Sequence, residues 1–220
     1  MQNVQDKWLL EGIEPLLDQG EREEIPARET VYYPGTQSTS VYFVEKGKVK
    51  LSYLDPSGKR ITLALRAAGE LFGEMALVGE QRHRHHAEAM EDSVLIRIPR
   101  EKMLAWVRDR PDVLYQLLQL FGLWIRDLEE IVEDLAFRDI QARLSRQLLR
   151  LSHEYGVKTK DGILISFRLT HRDLAEMIGS ARENTTMALN RFAREGILKK
   201  RRYQIIIKDV DGLKEKCGPS

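Results

Sequence analysis

Residues 170–195 read THRDLAEMIGSARENTTMALNRFARE, a pattern that predicts two short helices joined by a tight turn. The side chain of Thr170 can accept a hydrogen bond from the first turn of the first helix, and Asp173 stands at the capping-box position. Gly179 can end that helix with a positive φ, and Ser180 can cap the next one. The segment therefore predicts a helix-turn-helix and, with it, sequence-specific DNA binding.

The second helix has an inward and an outward face. The residues expected to face inward recur at three- and four-residue spacing and are Ala181, Thr185, Ala188, Leu189 and Phe192. On the outward face, Arg182 can pair with guanine and Glu183 can accept from a cytosine amino group in the major groove. The predicted DNA contacts of this motif are Thr170, His171, Ser180, Arg182, Glu183, Thr186, Met187 and Asn190.

A basic segment follows the motif. Residues 196–208, GILKKRRYQIIIK, predict two short strands around a basic tip, which is a wing. We expect Lys199, Lys200 and Arg201 near this tip to contact phosphates, because clustered positive charge releases counterions from DNA. Residues 138–220 hold 18 basic and 10 acidic residues, whereas residues 1–137 hold 17 and 24. This asymmetry indicates a DNA-binding module attached to a domain of another kind.

Length and composition exclude several other classes of protein. A chain of 220 residues can hold two modest domains. It contains no apolar run long enough to span a membrane, and its first residues lack a signal-peptide core. Cys217 is the only cysteine, which excludes a disulfide framework or a thiolate metal cluster within one chain. We therefore expect a cytoplasmic protein with no membrane partner.

The first hundred residues predict β structure. Short strand-like segments are separated by glycine and proline turn signals, and their even spacing indicates a barrel or jelly roll. A first helix is expected from Trp8 to Leu17. The strand-like segments are residues 31–33, 41–44, 49–53, 61–65 and 94–98.

A long amphipathic helix is predicted between the two regions. Its apolar residues form an a/d seam at alternating spacings of three and four, which is typical of a coiled-coil dimer. A second apolar stripe, Leu118, Ile125 and Val132, is expected to pack on the chain's own β domain. The predicted dimer seam is Leu114, Leu117, Phe121, Trp124, Leu128, Ile131 and Leu135.

Several segments together resemble the cyclic-AMP-receptor/FNR superfamily of bacterial transcription regulators. They are Pro34-Gly35, VYFVEKGKV at 41–49, AGELFGEMAL at 68–77, the hinge-like LAFRDIQARL at 135–144, and the winged helix-turn-helix. Residues 161–163 and the segment after them are similar to the nitrogen-control branch.

This resemblance implies an α+β fold in three parts. They are an N-terminal cyclic-nucleotide-binding-type β jelly roll at 1–110, a dimerisation helix at 111–137 and a C-terminal winged helix-turn-helix at 138–220. The implied partners are double-stranded DNA, a second copy of the chain and RNA polymerase.

The resemblance also places an effector pocket in the jelly roll. Gly73 and Glu74 match the pair that engages a ribose, while the arginine that engages a cyclic phosphate aligns with His83. The Thr-Ser pair that meets adenine becomes Leu128-Glu129. The predicted effector residues are Phe72, Gly73, Glu74, Met75, Arg82, His83, Arg84, Leu128 and Glu129.

The sequence leaves four alternatives for the identity of the effector. Cyclic AMP is one candidate, and a small dianion such as 2-oxoglutarate, held by Arg82 or Arg84, is a second. A third is haem, and a regulator that binds DNA without any effector is the fourth alternative. The potential haem ligands are His83, His85 and His86, of which the first two share a face if the segment is a strand.

A metal-dependent jelly-roll enzyme is the alternative from another class. The same histidines lie near Glu74 and Glu80 in the sequence. Three histidines within four residues are not the usual spacing of such a site, and an enzyme would leave the basic winged helix unexplained. We therefore expect no catalytic activity.

The recognition helix departs from the family at one position. Family members often carry an arginine four residues after the Arg-Glu pair, and here Met187 occupies that position. Methionine cannot donate two hydrogen bonds to guanine but can pack on a thymine methyl group. We expect a half-site that differs from the common TGTGA at one base.

Overall fold

The computed structural model of the chain describes residue 10 and residues 12–218. The chain forms two compact units, Met1–Lys59 with Leu63–Leu128, and Arg60–Thr62 with Glu129–Ser220. The expected mixed fold, with a β-roll, a central helix and a winged helix-turn-helix, is confirmed. Within the described residues, no helix is both long and apolar enough to cross a membrane.

The β-roll consists of two four-stranded antiparallel sheets, β1-β8-β3-β6 and β2-β7-β4-β5. The five predicted strands are present, with ends shifted by one or two residues. Three further strands lack a β-type pattern in the sequence: β1 is charged, β6 has two residues, and β7 reads HAEA. The strands are β1 (Glu21–Ile25), β2 (Thr30–Tyr32), β3 (Ser40–Lys46), β4 (Lys48–Leu54), β5 (Arg60–Ala67), β6 (Leu71–Phe72), β7 (His86–Ala89) and β8 (Ser93–Pro99).

Strand β3 contributes to the core on both of its faces. Val41 and Phe43 lie in one apolar cluster, which also contains Met103 of helix α2 (Arg100–Arg108). Tyr42 and Val44, one residue out of step, belong to a second cluster on the other side of the strand. This double burial explains why residues 41–44 form an uninterrupted apolar run.

The first helix is shorter than the sequence indicates. Helix α1 covers only Glu14–Leu17, because Gly12 adopts a positive φ of 71° and Pro15 stands in the first turn. The prediction is therefore wrong at Gly12 and Ile13. Its start at Trp8 lies outside the described residues.

Helix α3 (Pro111–Phe137) has the expected length, but its two apolar stripes face differently from the prediction. Leu117 is 4% exposed and packs, together with the partly buried Trp124, in the core of the β-roll. Leu118, Ile125 and Val132, predicted to pack on the β domain, are instead 58–65% exposed. The assignment of Leu117 and Trp124 to a dimer seam is therefore wrong.

An apolar stripe on α3 is left largely uncovered, and we call it the exposed stripe. Its spacings alternate between four and three, so it has the same heptad character as the predicted seam. Four residues belong to both sets, since the two stripes adjoin on the helix surface. Ile131 of the predicted seam is partly buried and lies off the exposed stripe. The exposed stripe is Leu114, Leu118, Phe121, Ile125, Leu128, Val132 and Leu135, of which Phe121 is partly buried.

The C-terminal unit is a winged helix. Its small sheet has the order β11-β12-β10-β9, and the hairpin β11-β12 forms the predicted wing. Leu144, Leu189 and Phe192 are fully buried in this unit. The elements are α4 (Ile140–Tyr155), β9 (Gly156–Thr159), β10 (Gly162–Ile165), α5 (His171–Met177), α6 (Arg182–Arg194), β11 (Leu198–Arg201), β12 (Gln204–Ile207) and α7 (Val210–Glu215).

The turn between β3 and β4 gives a test of the β-roll packing. Gly47 and Gly35 both have φ near +90°, but a Cβ on Gly47 would lie 2.2 Å from Ser93 Oγ, whereas one on Gly35 meets nothing within 4 Å. We expect Gly35→Ala to lower the free energy of unfolding by about 1–2 kcal/mol. We expect Gly47→Ala to cost about 1–3 kcal/mol more.

Urea denaturation of the two variants measures this difference. Equal destabilisation by both substitutions would contradict the close approach of Gly47 to Ser93.

Candidate DNA interface and effector site

A capping box holds the start of the helix-turn-helix. Thr170 Oγ1 accepts a hydrogen bond from the Asp173 N–H at 3.0 Å, and the Thr170 N–H donates to Asp173 Oδ2 at 3.0 Å. The Thr170 hydroxyl also donates to this carboxylate, at 2.7 Å. The cap is confirmed. The Thr170 hydroxyl serves the cap in this structure, and its contact with DNA stays a prediction.

The turn between α5 and α6 agrees with the prediction only in part. Gly179 has a φ of +58°, as expected for a residue that ends a helix. Ser180 does not cap α6, because Ala181 is the N-cap residue and no side chain accepts from the first turn. Ala181 is also exposed rather than inward-facing.

The rest of α6 is oriented as the spacing predicts. Thr185, Ala188, Leu189 and Phe192 are buried. Thr186 is partly buried, and Met187 is 69% exposed. The other outward residues are all exposed, and they are Arg182, Glu183 and Asn190.

Two side-chain contacts tie this helix to its neighbours. Lys200 of the wing donates a hydrogen bond to the Asn190 side chain of α6. His171 Nδ1 lies 2.9 Å from Thr186 Oγ1, which joins α5 to α6. Burial lowers the pKa of His171, and the charges of Lys200 and Arg182 lower it further. These charges therefore lie near one another beside the recognition helix.

The other two predicted wing cations pair with an acidic residue outside α6. Lys199 Nζ and Arg201 Nη2 both lie 2.9 Å from Asp161 Oδ2, in the turn between β9 and β10. Strand alternation explains why these two cations have a different partner from Lys200, because Lys199 and Arg201 lie on one side of β11 and Lys200 lies on the other. Lys199 is the main cause of the lowered pKa of Asp161. Lys200 therefore lies beside α6, whereas Lys199 and Arg201 are paired with Asp161, and the phosphate contacts of all three stay predictions.

Tyr203, at the tip of the wing, has an aromatic ring that contacts two cations. The guanidinium of Arg168 lies 3.7 Å from the centre of the Tyr203 ring, and that of Arg202 lies 5.3 Å from it. Tyr203 has a positive φ of 61°, which the Leu169 N–H supports by donating to its carbonyl oxygen at 2.9 Å.

Ionic contacts and a hydrogen bond surround the junction between α3 and α4. Arg138 pairs with Glu133 at 2.8 Å and Asp134 at 2.9 Å, and it donates to the carbonyl oxygen of Cys217 at 3.1 Å. Asp139 caps α4 by accepting from the Ala142 N–H at 2.8 Å. The helical conformation is interrupted at Arg138 and Asp139, within the hinge-like segment 135–144.

In the β-roll, the predicted ribose-binding pair occupies a tight turn. Gly73 has a φ of +80°, and a Cβ there would lie 3.1 Å from the Ser40 carbonyl oxygen. Burial raises the pKa of the Glu74 carboxyl, while backbone N–H groups and the charge of Arg66 oppose that rise. Arg66, on β5, was not predicted, because an arginine on an alternating strand ordinarily faces solvent.

His83 lies where the resemblance places the phosphate-binding arginine, and it cannot supply that charge. The side chain is buried, and its ring stacks on Tyr32 with the centroids 3.6 Å apart. Burial is the main cause that lowers the pKa of His83 to about 4, followed by the charge of His85. The imidazole is therefore neutral near pH 7.

The flanking arginines do not replace it. Both are exposed, and Arg82 Nη1 donates to the carbonyl oxygen of Gly35 at 2.5 Å. Leu128 and Glu129 are also exposed. A role for Arg82, Arg84, Leu128 or Glu129 in effector binding stays a prediction.

The three histidines do not lie on one strand, so the condition under which His83 and His85 would share a strand face is not met. Strand β7 begins only at His86, whose Nε2 lies 2.9 Å from Thr30 Oγ1. His83 stacks on Tyr32, and His85 approaches Tyr53 edge-on at 6.4 Å. Within the part of the chain that the structure describes, no group of three or more His, Cys, Asp or Glu residues could hold a metal ion.

Comparison with known proteins agrees with both halves of this architecture. Residues 22–110 match the cyclic nucleotide-binding domain, and residues 142–216 match the Crp-like helix-turn-helix domain. The global nitrogen regulator of Synechocystis sp. is 38% identical over 162 residues, 73% of this chain and 72% of that protein. The cyclic AMP receptor protein of Thermus thermophilus is 31% identical over 189 residues, 86% of this chain and 84% of that one.

A solved structure is also similar to this chain. A CRP/FNR-family transcriptional regulator from Thermus thermophilus has a TM-score of 0.75 and 30% sequence identity, covering 90% of this chain and 99% of that one. The chain belongs to the CRP/FNR family of DNA-binding transcription regulators. In the β-roll of this CRP/FNR protein, His83 is neutral and Arg66 on β5 is buried.

The buried His83 predicts acid sensitivity. Its folded pKa of about 4 lies below the ordinary value of 6.5, so its contribution to stability is complete above pH 6.5 and is lost as the pH falls towards 4. Each unit of difference corresponds to about 1.4 kcal/mol. We expect His83→Phe, which keeps an aromatic ring on Tyr32 but cannot titrate, to flatten the fall in melting temperature between pH 6.5 and 4.5.

The control is His153→Gln, which replaces an exposed histidine on α4. An unchanged acid dependence in His83→Phe would show that His83 is not held neutral by burial.

Proposed function

We propose that this CRP/FNR protein is a homodimer that binds a pseudo-palindromic DNA site through two copies of α6, with its DNA affinity set by a small effector in the β-roll. The observation that carries the proposal is an uncovered heptad stripe on α3 in a chain that also exposes the outward face of a recognition helix. We further propose that it acts in the cytoplasm, has no catalytic activity and meets RNA polymerase at its target promoters.

The exposed stripe supports a second copy of the chain as the partner of α3. Leu118, Ile125 and Val132 are more than half exposed, and burying one such side chain contributes about 1.5–3 kcal/mol. The spacing of the exposed stripe is that of an a/d seam, which fits the same seam on another copy related by a two-fold axis. Such a dimer offers two recognition helices for half-sites about one helical turn apart.

The groups on α6 and the wing divide into two roles. Arg182 and Glu183 stand exposed at the N-terminal end of α6, the part of a recognition helix that meets base edges. Lys200 lies beside Asn190 and suits a phosphate next to the groove. Met187 is exposed at the position where the resemblance leads us to expect an arginine, so it can read a thymine methyl group by apolar contact.

The dimer is tested by placing one charge on or off the exposed stripe. We expect Leu118→Asp to yield monomers at micromolar concentration, because a carboxylate in an apolar seam loses its hydration. Gln119→Asp puts the same residue on the adjacent exposed position and is expected to remain dimeric. Light scattering coupled to size-exclusion chromatography reads the mass. A dimeric Leu118→Asp variant would exclude this seam.

The DNA contacts are tested with a site selected from random duplexes. We expect Arg182→Ala to reduce discrimination at one base pair by about 1–3 kcal/mol. Lys200→Ala is expected to weaken binding to all sequences alike and to reduce the salt dependence, since it removes a phosphate contact.

Lys199→Ala is the matched control, because Lys199 is already paired with Asp161. Fluorescence anisotropy across a range of salt concentrations measures all three variants. An equal loss in Lys199→Ala and Lys200→Ala would contradict the division of the wing cations, and an Arg182→Ala variant with unchanged base preference would contradict the role of Arg182.

A further inference from the structure

Arg66 is a buried cation with incomplete hydrogen bonding. Its side chain lies on β5 and the residue is only 7% exposed. The guanidinium lies over the indole of Trp124, 4.6 Å from the ring centre, and Nη1 reaches the carbonyl oxygen of Leu65 at 3.5 Å. Nε is buried and finds no hydrogen-bond partner among the described residues, 10 and 12–218. A buried donor left unpaired is destabilising, so an acceptor brought by a ligand would be favoured here.

The surroundings of Arg66 place it in the same region as the predicted effector residues. Its charge acts on both the Glu74 carboxyl and the Tyr32 hydroxyl, and Tyr32 in turn carries the stacked His83 ring. Since His83 is neutral and Arg82 and Arg84 are exposed, none of these three provides a buried positive charge. Arg66 does provide one, and a guanidinium matches the planar geometry of a carboxylate or the oxygens of a phosphate.

We propose that Arg66 is the anion-binding residue of the effector site and takes the carboxylate or phosphate of a small ligand in place of a cation at position 83. This inference rests on the proposed effector control of the β-roll. The guanidinium stacks on the indole of Trp124, which positions it. Glu74 is placed to contact a polar group of the same ligand. The ligand class is a small organic acid or a cyclic phosphate, both of which present oxyanions.

The position of Arg66 also connects the ligand to α3. Trp124 belongs to this helix, and the exposed stripe lies on another side of the same helix. An anion bound by the guanidinium shifts it over the indole face and so changes the packing of Trp124. A ligand can alter the dimer only through a contact that differs between two arrangements, and the Arg66–Trp124 contact is such an element.

The experiment uses the full-length protein and two separate probes, 2-oxoglutarate for the carboxylate and cyclic AMP for the phosphate. We expect calorimetry to detect binding of one of them and Arg66→Gln to weaken that binding at least tenfold. Arg110→Gln is the matched control, since Arg110 also lies over a tryptophan, 4.8 Å from the ring centre of Trp106. It is expected to bind the same probe within twofold of the unmodified protein.

Tryptophan fluorescence gives a second readout that does not require a substitution of Arg66. We expect the bound probe to change the emission, and Trp124→Phe to remove that change while calorimetric binding persists, because a phenyl ring still supports the guanidinium. A fluorescence change that persists in Trp124→Phe would place the anion elsewhere.

Two further results would overturn the proposal. One is the absence of heat and of fluorescence change with both probes. The other is unchanged affinity in Arg66→Gln with a loss in an Arg82→Gln, Arg84→Gln double variant. The proposed regulator function fails by a different result, namely no preference for any selected duplex with or without the probes.

Discussion

The apolar surface on two sides of α3 is the constraint on which the rest of the molecule depends. One side, with Leu117 and Trp124, completes the core of the β-roll. The other side, the exposed stripe, is left to water in a single chain, which is unfavourable for a helix this apolar. A dimer removes that apolar area from solvent. The same helix therefore completes the core of its own domain and, in the proposed dimer, supplies the seam to a second copy, so a change at Trp124 would act on both.

The winged helix relies on polar contacts for its detailed shape. The capping box at Thr170 sets the start of α5, and the contacts of Lys200 with Asn190 and of His171 with Thr186 join the wing and both helices of the motif. Strand alternation then separates the wing cations, so that Lys200 alone of the three predicted cations accompanies α6. The interface proposed for DNA consequently contains fewer of the wing cations than the count of basic residues indicates.

Local patterns in the sequence predict the parts that local chemistry controls. The capping box, the break at Gly179, the wing and the length of α3 follow from short-range rules, and all are present. The orientation of the two stripes on α3 does not follow, because Leu117 and Leu118 are equally apolar and the choice is made by the shape of the β-roll. The same holds for Arg66 and Asp161, whose roles arise from residues distant in sequence. His83 shows a different limit, because the resemblance leads us to expect a phosphate-binding charge at this position, whereas burial keeps the histidine neutral.

The central claim is that two chains, joined along the exposed stripe, place two copies of α6 on one face of a duplex. It is tested most directly by sedimentation of the protein on duplexes whose two half-sites are separated by systematically varied spacers. The account predicts two chains per duplex and tightest binding at a centre-to-centre spacing of about 10 base pairs, with a loss when half a turn is added. One chain per duplex, or binding that does not depend on the spacer, would contradict it.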